Sequence, residues 1–574
     1  MNPTIIGIDL GTTNSAVACV RDGRPHVLPV DGSPTMPSCV GITPDGELLV
    51  GRTALNQYTV YPDRTVRSIK RKMGLDCRIT LGDREFSPEE ISALILKKLK
   101  AIAESELGET ITKAVITVPA YFDENQRKAT RQAAEMAGLE VARILNEPTA
   151  AALAYGANRK ENEKVLVYDL GGGTFDASLI TSENGVVEVK SSHGDTELGG
   201  DDFDEILVRH AARIFVDEGG SDPMADAVAH NRLKLLMEQA KITLSSHPFA
   251  QVEEAFFHEG RNLMLEVARE DYEKDIRALL EKTIGCCAQC LHDATIRSTE
   301  LDRIVLVGGS SHTPLVQSLI QEHFEIEPRH EIDPDLIVAY GAALQGAALA
   351  GASDVGILVD ITPYNLGIEV VGDFIADLRF ATIIRRNSPL PCNRTELFRT
   401  CANNQKRVEV VVYQGETESL ERNQRVGDFL VEGLGEAPAG DPILVNFKLN
   451  LNGMLEVTAT QKRTGLSKSV VLEAGKRDNA SDIDASRKRL NILAGETDST
   501  PATNDPAQPP EVVTAGLLRT RAEQLLARPS LEEEDREEIT ELRTKTDAAL
   551  QADDRAELAK LNDELEDILF YLED

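Results

Sequence analysis

Short apolar runs rich in β-branched residues alternate with longer stretches of helical periodicity over the first 352 residues. Residues 5–9, 114–118, 165–169 and 304–307 are the clearest of these runs. Strands that alternate with helices in this way are typical of an α/β fold. We therefore predict that residues 1–352 form an α/β domain.

A long helix is predicted directly after Ser87. Pro88 would occupy its first position, and Glu90 the position that closes a capping box with Ser87. Apolar residues then recur at spacings of three and four as far as Gly108, which is a typical helix end. The pattern predicts an amphipathic helix that packs against a sheet.

The hydrophobic period changes to two in the next part of the chain. Val408 and Val410 occupy alternate positions of one apolar run, and two further alternating runs flank the dipeptide Asn452-Gly453. This dipeptide between alternating runs is the strongest short-range hairpin signal. Residues 361–475 are therefore expected to form an all-β domain.

Two segments flank this all-β domain. Residues 353–360 are short and apolar, and we interpret them as an interdomain linker with a role of its own. Helical periodicity returns at 481–493 and resumes after a Pro-rich spacer at 494–511. A short helical region over 480–574, ending in a small three-helix bundle, is expected.

Charge and length narrow the function. The chain has 574 residues, enough for about three or four folding units, and its 61 Lys and Arg against 95 Asp and Glu give a net charge of −34. Such a surface repels phosphate backbones and anionic lipids, so neither nucleic acid nor a membrane is expected as a partner. No apolar stretch reaches the roughly 18 residues of a spanning helix, and no secretory leader is evident, so a cytoplasmic protein is expected.

The cysteines indicate the same compartment. Eight cysteines are too few for a disulfide framework in a chain of 574 residues, which agrees with reducing surroundings. Cys287 and Cys290 form a CxxC pair inside a helical pattern, with no second pair or histidine ligand nearby. Buried apolar thiols are favoured there over a metal site.

One motif occurs twice, at 5–13 and at 165–174: a strand ends in aspartate and enters a turn of Gly and Thr. Backbone N–H groups in such a turn can approach phosphate oxygens closely. Asp9 and Asp169 would repel phosphate, so a divalent cation must lie between them, and hydrated Mg²⁺ suits carboxylate ligands best. Either motif alone fits an ordinary hairpin, but the pair predicts two related lobes that clamp a polyphosphate.

A third glycine-rich stretch, 305–310, also follows a strand and offers a place for the rest of a nucleotide. The sequence contains neither a P-loop nor a Rossmann fingerprint, so those two nucleotide sites are disfavoured.

Seven motifs together resemble the DnaK-type, seventy-kilodalton heat-shock chaperone family. They are IGIDLGTTNS, ITVPAYF, NEPTAAALAYG, YDLGGGTFD, GDTELGGDDFD, VLVGGS and DPDLIVAYGAA, and the resemblance covers residues 4 to about 475. It implies an actin-like, duplicated ATPase domain, a linker, a β-sandwich domain that binds peptides, and a helical lid. The shortened lid is similar to that of the HscC-type branch.

The resemblance implies an ATP-dependent chaperone for stress response and protein folding. It would hydrolyse ATP to ADP and phosphate and, through the linker, couple hydrolysis to binding and release of extended hydrophobic segments of unfolded proteins. ATP or ADP, Mg²⁺ and K⁺ would be its cofactors. A J-domain co-chaperone and a nucleotide exchange factor would be its partners, and a monomer is expected.

The same resemblance assigns roles within the ATPase domain. The Mg²⁺ water shell is assigned to Asp9 and Asp169, and hydrolysis to Lys70, Glu147, Thr174 and Asp176. The phosphate turns are assigned to Gly11, Thr12, Thr13, Gly171, Gly172, Gly173, Thr174, Gly199 and Gly200. The adenosine pocket is assigned to Glu238, Lys241, Ser245, Gly308, Gly309, Ser310 and Asp335.

Further assignments concern peptide binding and coupling. The peptide cleft would be lined by Ile368, Phe398, Val408, Val410 and Met454, with Val371 and Cys401 arching over the peptide. Pro119 and Arg127 would form a switch, Arg143 and Asp360 would engage the J-domain, and Ile357, Leu358 and Val359 would dock the linker. An alternating valine by itself more often marks a sandwich core than a cleft.

The chain departs from the family pattern at several points. His312 replaces an arginine that stacks on adenine, so weaker or pH-sensitive nucleotide binding is expected. Gly356 replaces an aliphatic linker residue, which predicts weaker coupling. The segment 71–86 is abbreviated, and the lid lacks a long first helix. Fast peptide release is expected, because such a lid clamps weakly.

Two alternative functions stay open. A small-molecule kinase on the same fold would need an acceptor site between the lobes, and it leaves the all-β domain unexplained. A regulator that holds ATP without turnover is disfavoured because Lys70, Glu147 and Thr174 are all present.

Overall fold

A computed structural model describes most of the chain. The described residues are 4–156, 162–183, 186–328, 332–352, 357–372, 377–451, 453–472, 480–495, 536, 539–540, 542–546 and 560–561. Two compact units are present, Met1–Gly495 and Glu496–Asp574. Among the described helices, none combines the length and apolar character needed to cross a bilayer.

The first unit begins with an α/β region. Its strands are β1 (Ile5–Asp9), β2 (Asn14–Arg21), β3 (Arg24–Val27), β4 (Met36–Pro37), β5 (Cys39–Ile42), β6 (Leu48–Val50), β7 (Thr65–Arg67), β8 (Ile79–Leu81), β9 (Arg84–Phe86), β10 (Lys113–Val118), β11 (Glu140–Asn146), β12 (Glu163–Leu170), β13 (Phe175–Glu183), β14 (Val186–Asp195), β15 (Phe249–His258), β16 (Arg261–Ala268) and β17 (Arg303–Val307). Its helices are α1 (Arg52–Gln57), α2 (Pro88–Leu107), α3 (Glu124–Met136), α4 (Glu147–Gly156), α5 (Gly200–Asp217), α6 (Ala227–Ser246), α7 (Arg269–Asp293), α8 (Pro314–Phe324) and α9 (Ile337–Leu349).

The two main sheets repeat one topology. The first has the order β11-β10-β1-β2-β3, and β4 also pairs with β2. In the second, β17, β12, β13 and β14 follow one another. In each sheet three consecutive strands form an antiparallel meander, and the first of them pairs in parallel with a later strand, β10 or β17. The predicted internal duplication is confirmed at the level of strand order.

Helix α2 begins and ends where its sequence signals predict. The Ser87 side chain accepts from the Glu90 N–H at 3.2 Å, and the Glu90 carboxylate accepts from the Ser87 N–H at 2.9 Å. Gly108 ends the helix in the left-handed region, with φ of 69°. Its apolar face lies in the core beneath the first sheet. The prediction of a capped, amphipathic helix is confirmed.

Helices α4 and α9 hold the two sheets together. They pack against each other, α9 also against β1 and β2, and α4 against β12 and β13. Small residues make this approach possible: a Cβ on Gly341 would lie 1.8 Å from the Ala150 carbonyl oxygen, and a Cβ on Gly7 2.1 Å from the Ala343 nitrogen. The joint between the lobes is therefore close-packed backbone.

The CxxC thiols are buried in α7, as predicted. Cys287 and Cys290 have no exposed surface, and Cys290 Sγ donates to the Ala177 carbonyl at 3.1 Å. Burial raises the pKa of both thiols. These thiols act as core residues.

The rest of the first unit is an all-β region followed by one helix. Its elements are β18 (Ile357–Val359), β19 (Asn365–Val371), β20 (Leu378–Ile384), β21 (Cys392–Arg399), β22 (Arg407–Gly415), β23 (Gln424–Glu432), β24 (Pro442–Leu449), β25 (Leu455–Gln461), β26 (Ser467–Leu472) and α10 (Ala480–Leu493). Two four-stranded antiparallel sheets, β20-β19-β22-β23 and β21-β24-β25-β26, share one apolar core. The predicted hairpin joins β24 to β25 with Leu449 opposite Leu455, and Gly453 has φ of 78°, whereas Asn452 is outside the described residues.

Helix α10 belongs to the first unit and packs on the α/β region. It contacts α2 and α3, and Leu490 is fully buried in the same core as α2. Glu90 accepts hydrogen bonds from Ser486 at 2.8 Å and from Arg489.

Little of the second unit is described. Its described residues include helical turns in which the Thr540, Thr544 and Thr546 hydroxyls each donate to the carbonyl four residues earlier. Ile539, Leu542 and Leu561 are buried. The spacer from 496 to 511 is outside the described residues.

Replacing Gly341 tests the close-packed joint. Gly341→Ala should destabilise the protein by about 1–3 kcal/mol, because the new methyl collides with the backbone of α4. Gly285→Ala in α7 is the matched control, since a Cβ there has no neighbour within 4 Å. That variant should be neutral or gain up to about 1 kcal/mol. Chemical unfolding followed by circular dichroism measures both, and equal stability of the two variants would contradict the packing account.

Candidate nucleotide site

A deep cleft of about 690 Å³ opens between the two lobes. Most residues with a predicted nucleotide role line it: Asp9, Gly11, Thr12, Thr13, Lys70, Glu147, Asp169, Gly171, Gly172, Thr174, Glu238, Lys241, Ser245, Gly308, Gly309, Ser310 and Asp335. His312 also lines the cleft. Four residues with a predicted role, Gly173, Asp176, Gly199 and Gly200, are not among the lining residues.

The glycine turns of the two lobes touch each other. A Cβ on Gly172 would lie 1.9 Å from Thr13 Oγ1, and one on Gly173 would lie 2.8 Å from Thr12 Oγ1. Gly199 abuts Gly172 in the same way, at 2.6 Å. Any side chain at these glycines would force the turns apart, so the sequence requires glycine here.

Acidic side chains are concentrated at the floor of the cleft. Burial, and next the charge of Glu147, raises the pKa of Asp9 and of Asp169. Burial and Glu147 also raise the pKa of Asp176 to about 8. Lys70 Nζ donates to Glu147 Oε1 at 2.5 Å. The described part of the floor therefore has more carboxylates than cations.

Local structure orients two of these carboxylates, Asp9 and Asp176. Asp9 ends β1 and accepts from the Thr117 hydroxyl at 3.0 Å. Asp176 accepts from the backbone N–H groups of Ala120 and Tyr121 at 3.1 and 3.3 Å. Backbone N–H groups and a hydroxyl thus orient these two carboxylates.

The floor fits a hydrated cation and a phosphate. Among the described residues, no three His, Cys, Asp or Glu side chains are arranged to hold a metal directly, and the carboxylates of Asp9 and Asp169 are the type of group that binds hydrated Mg²⁺. Thr13 Oγ1 is buried without a hydrogen-bond partner in the described structure, and it faces the glycine turn. An unpartnered hydroxyl between glycine turns suits a phosphate oxygen.

Three polar contacts close the cleft from one lobe to the other. Arg67 pairs with Glu238 at 2.7 Å, the Ser68 hydroxyl donates to Asp201 at 2.7 Å, and Arg71 forks onto Asp202. Ser68 holds φ at 53°, which turns this segment toward the opposite lobe. Sequence reasoning missed this contact set, although the basic run after β7 was a signal that could have suggested it.

Helix α6 carries three residues predicted for the adenosine pocket, at spacings of three and four: Glu238, Lys241 and Ser245. Lys241 donates to Asp204 and to the Gly200 carbonyl at 2.8 and 3.0 Å. Glu238 pairs with Arg67 and Lys241 with Asp204, so the two are not simply a surface ion pair with each other. On the opposite wall, a Cβ on Gly309 would lie 3.0 Å from Asp335 Oδ1.

A family model described as Hsp70 protein matches residues 5–80 and 75–572. The chain belongs to the Hsp70 family. The resemblance seen in the sequence is thereby confirmed, and with it a chaperone role, nucleotide binding and a general ATPase activity.

The strand β18, within the predicted linker, extends the second sheet. β18 pairs in parallel with β14, with Leu358 opposite Val187 and Val359 opposite Glu188. Leu358 packs against the core between the lobes. The predicted docking residues thus lie on the α/β region, while Gly356 is outside the described residues.

The four predicted switch and J-domain residues surround the end of this linker. Asp360 accepts from Asn146 at 3.1 Å and carries a charge interaction with Arg143. Arg127 donates to Asn146 and to the Ala120 carbonyl, next to Pro119. Arg143 and Asp360 are buried, at 7% and 6% exposure. Asn146 joins Arg127 to Asp360, and sequence reasoning missed it.

The all-β region contacts the α/β region through polar side chains. Tyr364 donates to the Tyr121 carbonyl at 2.7 Å. Arg386 pairs with Asp293 at 2.8 Å and with Glu416 at 3.1 Å. These contacts join residues at least 30 apart in sequence and carry no local motif, so the sequence did not reveal them.

The seven predicted cleft residues of the all-β region fall into two groups. Four belong to its core or pack against it: Ile368, Phe398, Val408 and Val410. The other three are exposed: Val371, Cys401 and Met454. Ile368 and Val410, at 5% and 1% exposure, lie within the core in this arrangement.

Removing the Arg67 charge should loosen the closed cleft. Arg67→Met leaves Glu238 without its cross-lobe partner, so release of a fluorescent ADP should be about ten-fold faster. Stopped-flow displacement by unlabelled nucleotide measures the rate. Arg209→Met is the control, because Arg209 pairs with Glu205 along one exposed helix face. Wild-type release from Arg67→Met would mean that other contacts hold the lobes.

Proposed function

We propose that this Hsp70 hydrolyses ATP to ADP and phosphate in the cleft and uses that reaction to change how tightly its all-β region, acting as a β-sandwich, holds extended hydrophobic segments of unfolded proteins. One observation carries the proposal. Glu147 holds Lys70 in the cleft, while its neighbour Asn146 holds Asp360 at the end of the linker. A shift of this dipeptide would reach both sites.

The residues of the cleft fit hydrolysis. Asp9 and Asp169 would hold hydrated Mg²⁺, which when bound offsets the negative charge of the phosphates. Lys70 presents a positive charge where phosphate charge spreads during transfer. Glu147 orients Lys70 and offers an acceptor for the attacking water. Thr13 and the glycine turns supply donors for phosphate oxygens.

A second route supports coupling. Asp176 accepts from the Tyr121 N–H, and Tyr364 of the all-β region donates to the Tyr121 carbonyl. Movement at Asp176 would therefore reach the all-β region through a single residue, Tyr121. If nucleotide binding changes the affinity for peptide, thermodynamic linkage requires that a bound peptide changes the affinity for nucleotide by the same factor.

The proposed protein partners, a J-domain co-chaperone and an exchange factor, would act on the contacts that hold the linker and close the cleft. A J-domain co-chaperone would have to free Arg143 and Asp360, which are buried while the linker is docked. An exchange factor would have to open the lobe contact between Arg67 and Glu238.

His312 beside Asp335 would give weaker adenine binding than an arginine. The free cysteines are in keeping with a cytoplasmic protein.

Single-turnover hydrolysis with an extended aliphatic peptide tests coupling. The peptide should speed hydrolysis in the wild type, and Val408→Phe should lose that stimulation because the larger ring fills the proposed cleft. Val471→Phe is the control, since Val471 lies exposed on β26 and should keep the stimulation. Stimulation that survives Val408→Phe would contradict the proposed cleft, and phosphate found on an added metabolite would favour a kinase.

We also propose that the chain belongs to the short-lid, HscC-type branch and releases peptide quickly even with ADP. Helix α10 packs on α2 and α3 of the α/β region, so this helix does not cover the all-β region in the described arrangement.

Peptide dissociation in ADP measures the grip of the lid. A labelled hydrophobic peptide should leave within seconds, and deletion of residues 512–574 should change the rate less than about three-fold, since a weak clamp contributes little. Stopped-flow anisotropy follows the release. Release over many minutes, slowed by the intact C-terminal region, would overturn the short-lid proposal.

A further inference from the structure

His193 lies on β14 at the contact between the α/β region and the all-β region. Its ring centroid is 5.3 Å from that of Tyr121, the residue that Tyr364 holds from the all-β side. Ser191, two residues before His193, is fully buried. The Ser192 N–H donates to the Asn387 side chain of the all-β region at 3.4 Å. His193 is therefore part of the docked surface.

One nitrogen of this imidazole has no hydrogen-bond partner. Nδ1 of His193 is buried, and no described atom accepts from it or donates to it. A neutral imidazole tolerates this, because Nδ1 can be the nitrogen without a proton. A protonated ring would place an N–H donor there with nothing to receive it, which disfavours protonation.

The charged groups that face His193 do not compensate. Glu416 and Asp293 attract a cation, but both carboxylates already pair with Arg386, at 3.1 and 2.8 Å. Arg386 itself repels an imidazolium, and the Tyr121 hydroxyl is engaged with Glu416 at 3.3 Å. Two carboxylates shared with a guanidinium leave little net charge for a second cation.

We propose that His193 is a proton-sensitive latch: the all-β region docks on the α/β region with the imidazole neutral, and protonation of His193 releases it. The latch concerns docking itself, so it goes beyond nucleotide hydrolysis and peptide binding and does not depend on either.

The direction of the pH effect follows from burial. Desolvation lowers the pKa of His193 in the docked state; Glu416 and Asp293 oppose this shift, and Arg386 adds to it. Undocking exposes the ring to water and returns its pKa toward the ordinary value of about 6.5. The undocked state thus binds the proton more readily, and docking is lost as the pH falls through that value.

The size of the effect has an upper limit. If the docked ring stays neutral throughout, the ratio of docked to undocked molecules falls about ten-fold between pH 7.5 and pH 5.5. Small-angle scattering of the full chain, with and without ATP, measures this ratio through the radius of gyration. We expect the radius to rise on acidification in the wild type.

His193→Gln removes the titration while keeping a polar side chain, so its docking should depend on pH much less than that of the wild type. His323→Gln on α8 is the matched control, because His323 is exposed and should leave the wild-type profile unchanged. Identical pH profiles for the wild type and His193→Gln would overturn the proposal, whether or not the protein proves to be a peptide-stimulated ATPase.

A second measurement covers the case in which His193→Gln is poorly folded. The full chain has ten histidines, and NMR of histidine-labelled protein gives one titration curve for each resolved ring. The His193 resonance, assigned in the wild type by its nuclear Overhauser contacts with the nearby Tyr121 ring, should titrate at lower pH than the exposed histidines. A ring that titrates with them would show that docking places no cost on its protonation.

Discussion

The concentration of negative charge at the floor of the cleft is the constraint on which the rest of the molecule depends. Asp9, Asp169, Asp176 and Glu147 lie together, and burial combined with their mutual repulsion raises the pKa of the three aspartates. Lys70 offsets only part of this charge. Added positive charge at the floor of the cleft would therefore be favourable.

The same constraint connects the cleft to the all-β region. The carboxylates are held by the ends of strands and by the backbone that follows them, and those short segments are also the surface on which the all-β region rests. Tyr121 donates to Asp176 with its N–H and receives Tyr364 at its carbonyl, while Asn146 and Glu147 face opposite ways from one turn. The distance from the cleft to the all-β region is therefore short, because a single residue, Tyr121, contacts both.

Local signals in the sequence predicted the parts of this arrangement that local physics determines. The capping box of α2, the duplicated strand and glycine turn, and the hairpin at Gly453 each depend on residues within about ten positions. The contact between Arg67 and Glu238 joins residues 171 apart, and neither side chain differs by pattern from a solvated charge. The alternation at Val408 and Val410 was equally ambiguous. Valines in a sandwich core and valines that line a binding cleft produce the same alternating sequence pattern.

The first unit contains two kinds of interface, which different interactions stabilise: close backbone packing at one and polar side-chain contacts at the other. The lobes meet at α4 and α9, where Gly341 lets one backbone touch another, and a joint of that kind has no partly open state that keeps its contacts. The all-β region instead meets the α/β region through Tyr364, Arg386 and their acceptors, each of which water can replace on undocking. A surface of exchangeable hydrogen bonds loses little free energy when it opens. Small changes of charge should therefore affect this interface more than the close-packed joint at α4 and α9.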